Sequence, residues 1–207
     1  MNTMNHKLVW NFECTVDTPI PLASLTVIEK DILKWESRFF WPAKEQITLQ
    51  ATDNFMLDLN HYEHKYKEDY YYLVPDRNYN IKRRRNELIY KPIIKQTPQA
   101  LGFGSKINLE EVPLELKNSP DLEDILNRNL DAATVASVQK ESYIYKFSTT
   151  PTIKLELARI EINSDVYFSA CIEGRSAKLV QNISEHLLGE AISCDYVTFI
   201  KKISKHV

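Results

Sequence analysis

The chain has 207 residues, enough for a substantial core without disulfides, and a single domain over residues 1–207 is expected. Its formal charge of −2 excludes a protein whose whole surface is a basic nucleic-acid coat, so any positive field must be local. Four glycines leave no Gly-rich phosphate loop or dinucleotide fingerprint, and Cys14, Cys171 and Cys194 lack the paired spacing of a disulfide framework or a cysteine zinc site. No apolar run reaches membrane-spanning length, and Met1-Asn-Thr-Met-Asn-His6 carries no signal pattern. The expectation is a cytoplasmic protein with reduced thiols and no membrane partner.

Lys7–Val16 reads as the first strand: Lys7, Val9, Asn11, Glu13 and Thr15 on a largely polar face, Leu8, Trp10, Phe12, Cys14 and Val16 on an apolar one. After Pro19 and Pro21, the spacing of Leu25, Ile28, Ile32 and Trp35 predicts an amphipathic helix over Ala23–Trp35, with Ser24 as cap. Gln46–Gln50 and Phe55–Leu59 read as strands, and His61–Lys67 as a polar connection whose two histidines are solvated or structural. Asp69–Val74 is a further strand, and Pro75–Asn78 the turn that follows it.

Tyr79–Arg84 and Leu88–Lys91 form a basic hairpin turning near Arg85-Asn86-Glu87, with Lys82 and Arg84 on one face. If that face points into a barrel, Lys82, Arg84 and Lys91 converge on one volume and require carboxylates or a polyanion between them. Pro92–Leu116 reads as a long connection and Pro120–Leu130 as a short helix. Val135–Phe147 places Val138, Lys140, Ser142 and Ile144 on one face. Thr152–Ile162 does the same for Lys154, Glu156, Ala158 and Ile160. After the turn Asn163-Ser164-Asp165, Val166–Glu173 carries Cys171 and Glu173 together, and Ala177–Leu188 is a helix ending at Gly189. The sum is α+β: an antiparallel, closed or nearly closed β-barrel of about eight strands with flanking helices.

Asp69-Tyr-Tyr-Tyr72, Asn80-Ile-Lys82 with Lys91, Lys140 with Tyr143, Leu157-Ala-Arg-Ile160, Cys171-Ile-Glu-Gly174, and the tail Leu187-Leu-Gly189 with Asp195-Tyr-Val197 stand in an order that resembles the CYTH family, the triphosphate tunnel metalloenzymes. In that comparison Asn11-Phe-Glu-Cys-Thr15 lies where the family has Glu-x-Glu-x-Lys. Asn11, Thr15, Asn80, Ala158 and Cys171 depart from the family pattern. The resemblance implies a β-tunnel binding a small polyanionic phosphate, with Lys82, Arg84, Lys91 and Lys140 gripping phosphates. It implies Glu13 and Glu173 as catalytic residues, and Glu13, Glu156 and Glu173 as ligands of Mg²⁺ or Mn²⁺, hard ions that prefer carboxylate oxygens. The expected activity is metal-dependent hydrolysis of tripolyphosphate, a nucleoside triphosphate or thiamine triphosphate. The alternative is a non-catalytic binder of such anions on the same fold. Nucleic acid enters only as 5′-triphosphorylated RNA, with Tyr70, Tyr71, Tyr72 and Tyr79 as stacking candidates. Class IV adenylyl cyclase activity also occurs in the family, and no residue here selects it.

Overall fold

The computed structural model describes residues 5–15, 30–116, 119–128, 130 and 133–204. Two sheets organise them. The smaller joins β1 (His6–Val9), β2 (Phe12–Thr15) and β4 (Ile47–Gln50) in the order β1-β2-β4. The larger contains β3 (Lys34–Pro42), β5 (Glu63–Leu73), β6 (Ile81–Arg84), β7 (Glu87–Tyr90), β8 (Ile93–Gln96), β9 (Leu101–Phe103), β10 (Ile107–Asn108), β11 (Thr134–Lys146), β12 (Lys154–Ile162) and β13 (Asp165–Gly174). Its antiparallel order is β10-β7-β6-β5-β11-β12-β13-β3-β9-β8. The helices are α1 (Pro120–Asn127), α2 (Ala177–Leu188) and α3 (Tyr196–Ser204).

The large sheet is strongly curled. In its strand order β7 and β3 are six steps apart, about 29 Å in a flat sheet at roughly 4.8 Å per step. Yet Lys91, just after β7, places its amine 2.5 Å from Glu36 on β3 and 3.7 Å from the centre of the Phe103 ring on β9. The sheet therefore folds back on itself as an incomplete barrel. The α+β class holds, with ten strands in the curled sheet and a separate three-stranded sheet.

Alternation along the strands divides the molecule into two layers. Trp35, Phe39, Leu155, Leu157, Phe168, Ala170 and Ile172 point to the convex side. There they form one core with Phe12 and Leu49 of the small sheet and Leu179, Val180, Ile183 and Leu187 of α2. Ser176 caps α2 by accepting from the Leu179 N–H, and Gly189 ends it at φ 71°. The concave side is split. One half is apolar, where Tyr196, Val197 and Ile200 of α3 pack on Tyr71, Ala136, Val138, Ala158 and Ile160. The other half is charged.

Several expectations are corrected. The described part of Lys7–Val16, which ends at Thr15, is two strands: Trp10 takes φ 48° and turns the chain, so β1 and β2 form a hairpin with Lys7 opposite Glu13. Lys34 and Trp35 begin a strand and Ile32 is exposed, so the described part of Ala23–Trp35 is not helical; Leu25 and Ile28 lie outside the described residues. Phe55–Leu59 is not a strand. Asp53 and Asp58 accept from the Met56 and Asn60 N–H groups and wind the segment into two 3-10 turns. The polar stretch from Glu63 is the start of β5, and Pro92–Leu116 contains β8, β9 and β10. The turn between β12 and β13 is as read, with Asn163 and Ser164 at φ 49° and 76°.

Gly174 ends β13 where β11 and β12 connect. A Cβ there would overlap Ile153 Cδ1 and crowd the Thr152 carbonyl at 3.1 Å. Gly174→Ala is expected to cost about 1–3 kcal/mol by overpacking, seen as a lower midpoint in urea with unchanged m. An unchanged midpoint would show that this junction yields freely.

Candidate anion-binding site on the concave face

The charged half of the concave face is built by strand register. On β3, Lys34, Glu36 and Arg38 alternate inward. Across the β13 pairing Glu36 faces Glu173 and Arg38 faces Cys171, and across the next pairing Cys171 faces Glu156. On the other side, Lys140 stands opposite Lys67, and Tyr71 opposite Lys82.

The result is a chain of buried ion pairs. Glu156, 7% exposed, receives both Lys140 Nζ contacts at 2.8 Å and Arg38 Nη1 at 3.1 Å. Arg38 also donates to Ser169 Oγ at 3.3 Å. Asp69 takes Arg84 through two hydrogen bonds, 2.5 and 2.6 Å, and Lys82 at 2.8 Å. Glu36 takes Lys91, with Lys34 at 3.6 Å and Arg38 at 4.0 Å, and Glu173 takes Lys34 at 2.6 Å. Burial alone would raise the carboxyl pKa values of Glu36, Glu156 and Asp69. The facing cations outweigh it, holding Glu36 and Glu156 well below the usual carboxylate range and lowering Asp69 as well.

Cations nevertheless outnumber carboxylates. Among the described residues, Lys34, Arg38, Lys67, Lys82, Arg84, Lys91, Lys106 and Lys140 share this surface with Glu36, Asp69, Glu156 and Glu173: eight against four. Lys34 and Lys140, each paired with a glutamate, are raised, and the excess shows in Lys67, Lys82 and Lys106. Lys67 is pushed down by burial and by Lys140, with Arg84 and Lys65 adding to it. Lys106 is pushed down by burial and by Arg84, Lys91 and Lys34. Lys82 falls to about 7, because burial together with Arg84 and Lys140 outweighs Asp69, a carboxylate already gripped by Arg84.

Tyr196 closes the deep end. Asp195 accepts from the Val197 and Thr198 N–H groups and anchors the start of α3. This sets the Tyr196 ring 4.8 Å beneath the Arg38 guanidinium and 5.9 Å from Lys140. Its hydroxyl is buried without a partner among the described residues, beside a void of about 10 Å³, room for a single water.

Of the residues singled out in the sequence, Lys82, Arg84, Lys91, Lys140, Glu156 and Glu173 meet on this face. Glu13 does not. It lies in the small sheet opposite Lys7 and Thr48, where its carboxylate accepts from Asn5. The alternation sought at residues 11–15 is carried instead by Lys34-x-Glu36-x-Arg38, and Lys67 and Lys106 complete the set; none of these five had been singled out. Tyr70 points outward and is exposed, whereas Tyr71 is buried against Tyr196. His64 contacts Glu141 at 2.9 Å and stacks on Tyr143, and His61 sits 3.9 Å from Asp58, both away from the charged cluster.

The donor set does not fit a resident Mg²⁺ or Mn²⁺ on Glu13, Glu156 and Glu173. Glu13 is in another sheet, both oxygens of Glu156 are taken by Lys140 and Arg38, and Glu173 is paired with Lys34 through one oxygen. The place where three ligand atoms do converge, within 4.8 Å, is Glu36, Cys171 and Glu173. There the Cys171 thiol is pushed up by burial and stays neutral, a poor partner for a hard cation.

No family model and no curated protein matches the sequence. Among solved structures, a proposed adenylate cyclase from Bacillus halodurans is 11% identical, with a TM-score of 0.37 and coverage of 80% of this chain and 95% of that one. That likeness is too weak to assign a family. No helix of the described residues is long and apolar enough to cross a membrane.

Proposed function

We propose that the concave face binds a small polyphosphorylated anion, with a triphosphate as the best match, and that it does so without a resident divalent ion. The observation that carries this is the eight-to-four excess of cations on a surface where every carboxylate is already neutralised. A partly buried cluster of like charge is costly in the free protein and becomes favourable once an anion fills it. Arginine and lysine supply charge-assisted hydrogen bonds to phosphate oxygens, and the low local dielectric strengthens them. This reading keeps the phosphate-gripping half of the CYTH resemblance, and Lys34 and Arg38 add cations where Glu13 had been expected to supply a carboxylate.

Metal-dependent triphosphate hydrolysis is the second reading, favoured by the Glu36 and Glu173 carboxylate oxygens lying within 4.8 Å of each other, two hard ligands that need no help from the neutral Cys171 thiol. One experiment separates them: thermal unfolding with tripolyphosphate, ATP or thiamine triphosphate, in EDTA and with Mn²⁺, alongside phosphate release. At a hundredfold excess over Kd the anion is worth about 2.7 kcal/mol, or roughly 5–10 °C for a domain of this size. The expected result is that shift in EDTA with no phosphate released. A shift and phosphate release that both require Mn²⁺ would favour hydrolysis. No shift with any of the three would remove both readings.

A further inference from the structure

We infer that the cavity at the open end of the concave face is a second anion subsite, selecting ligands whose remote end carries more negative charge and no aromatic base. This rests on the anion reading of the inner cluster and names the class of ligand that cluster would take.

The cavity has a volume of about 510 Å³, within the roughly 300–1,000 Å³ typical of small-molecule sites. Lys30, Lys34, Lys154 and Arg175 line it, and among the described residues Glu173 is the single carboxylate in its wall. Lys34 joins it to the inner cluster, because its amine lies 2.6 Å from Glu173 and 3.6 Å from Glu36. Lys154 stands opposite Glu173 in the β12–β13 register. The cavity is thus a continuation of the cationic surface, four basic groups against a carboxylate already held by Lys34.

The rest of the wall decides what kind of anion fits. Thr150 and Thr152 add polar, exposed residues to the wall, while the Thr149 hydroxyl is spent on the Pro151 carbonyl at 3.0 Å and the Ile153 N–H at 3.1 Å. Among the described residues no Phe, Tyr, Trp or His lines the cavity. A nucleobase is held chiefly by stacking on an aromatic or guanidinium plane together with hydrogen bonds to its edge. Arg175, the one guanidinium, is turned to the Ile32 carbonyl at 3.1 Å. Hydroxyls and ammonium groups suit phosphate oxygens. A ligand reaching both sites is therefore an extended phosphate chain or a multiply phosphorylated polar compound, and not a nucleotide.

The test is calorimetry in EDTA at fixed ionic strength with tripolyphosphate, ATP and a longer linear polyphosphate. Bivalent engagement is expected to make the longer chain bind about tenfold or more tighter than tripolyphosphate, with ATP no tighter than tripolyphosphate. Lys154→Gln/Arg175→Gln is expected to abolish that length advantage while tripolyphosphate stays within about twofold of wild type. Lys44→Gln/Lys95→Gln, which removes two exposed charges elsewhere, leaves the advantage intact. Tripolyphosphate binding with no length advantage, an advantage lost equally in both double variants, or tighter binding of ATP overturns the subsite alone. Absence of tripolyphosphate binding overturns the inner-site reading and the subsite with it.

Discussion

Glu156→Gln is expected to destabilise the free protein by about 3–5 kcal/mol, because it leaves Lys140 and Arg38 buried against a neutral amide. For a domain of this length that is a fall of roughly 6–20 °C in midpoint. The loss comes from unpaired charge and not from lost volume, since the amide is nearly isosteric. Two further results follow from that cause. Glu156→Gln/Lys140→Met recovers part of the loss, since one of the two stranded cations is gone. Tripolyphosphate raises the midpoint of Glu156→Gln by more than it raises that of wild type, because the anion takes over from the missing carboxylate. An unchanged midpoint in Glu156→Gln would mean that Lys140 and Arg38 find water, and the enclosed cation cluster would have to be abandoned.

Lys82 gives the second large effect, on the pH dependence of binding. With its amine lowered to about 7, it is half-neutral at pH 7 in the free protein and mostly neutral at pH 8. An entering anion favours the ammonium form, so at pH 8 binding is expected to take up close to one proton through this residue. Affinity then falls by up to about tenfold per pH unit above 7, until the bound-state pKa is reached. The sign for stability is opposite. A lysine whose folded pKa lies below its ordinary value is a burden on the folded state below pH 7. Its contribution therefore improves between about pH 7 and the ordinary lysine value near 10.4. Calorimetry in two buffers of different ionisation enthalpy reads the proton count directly, and the ligand's own protons are subtracted with Lys82→Met. Equal uptake in wild type and Lys82→Met would show that Lys82 is already charged in the free protein.

Much of the concave face was legible because its strands alternate cleanly. On β12, Lys154, Glu156, Ala158 and Ile160 share the face expected of them, and on β11 Lys140 does likewise. The basic hairpin was legible for the same reason, with Lys82 and Arg84 turned together towards Asp69. What escaped was β3. The spacing of Ile32 and Trp35 continues a helical period from Leu25 and Ile28, and it masked the two-residue alternation of Lys34, Glu36 and Arg38. That pattern was present to be read, since Trp35 and Phe39 fall on the opposite face. The start of β5 escaped for a different reason. Between Glu63 and Glu68 both faces are polar, one meeting solvent and the other the charged interior, so hydropathy has no period there. Glu13 was misplaced because Asn11 is the one turn-forming residue in Val9-Trp-Asn-Phe12, and the left-handed conformation falls on Trp10 beside it, where a tryptophan gives no such signal. The same pattern of success and failure applies to function. Pair partners such as Lys91 and Glu36 come from strands far apart in the sheet, and only the curl brings them together.

The most direct measurement is a calorimetric titration of tripolyphosphate into the protein at pH 7 in EDTA, repeated with Lys67→Met. Lys67 faces Lys140, and among the described residues no carboxylate makes an ion pair with it; Glu156 acts on it only from a distance. Saturable binding of one anion per chain, weakened about tenfold or more in Lys67→Met while that variant melts no lower than wild type, is the expected outcome. Binding that appears only when Mn²⁺ is supplied, or that Lys67→Met leaves untouched, would contradict a metal-free cationic site on the concave face.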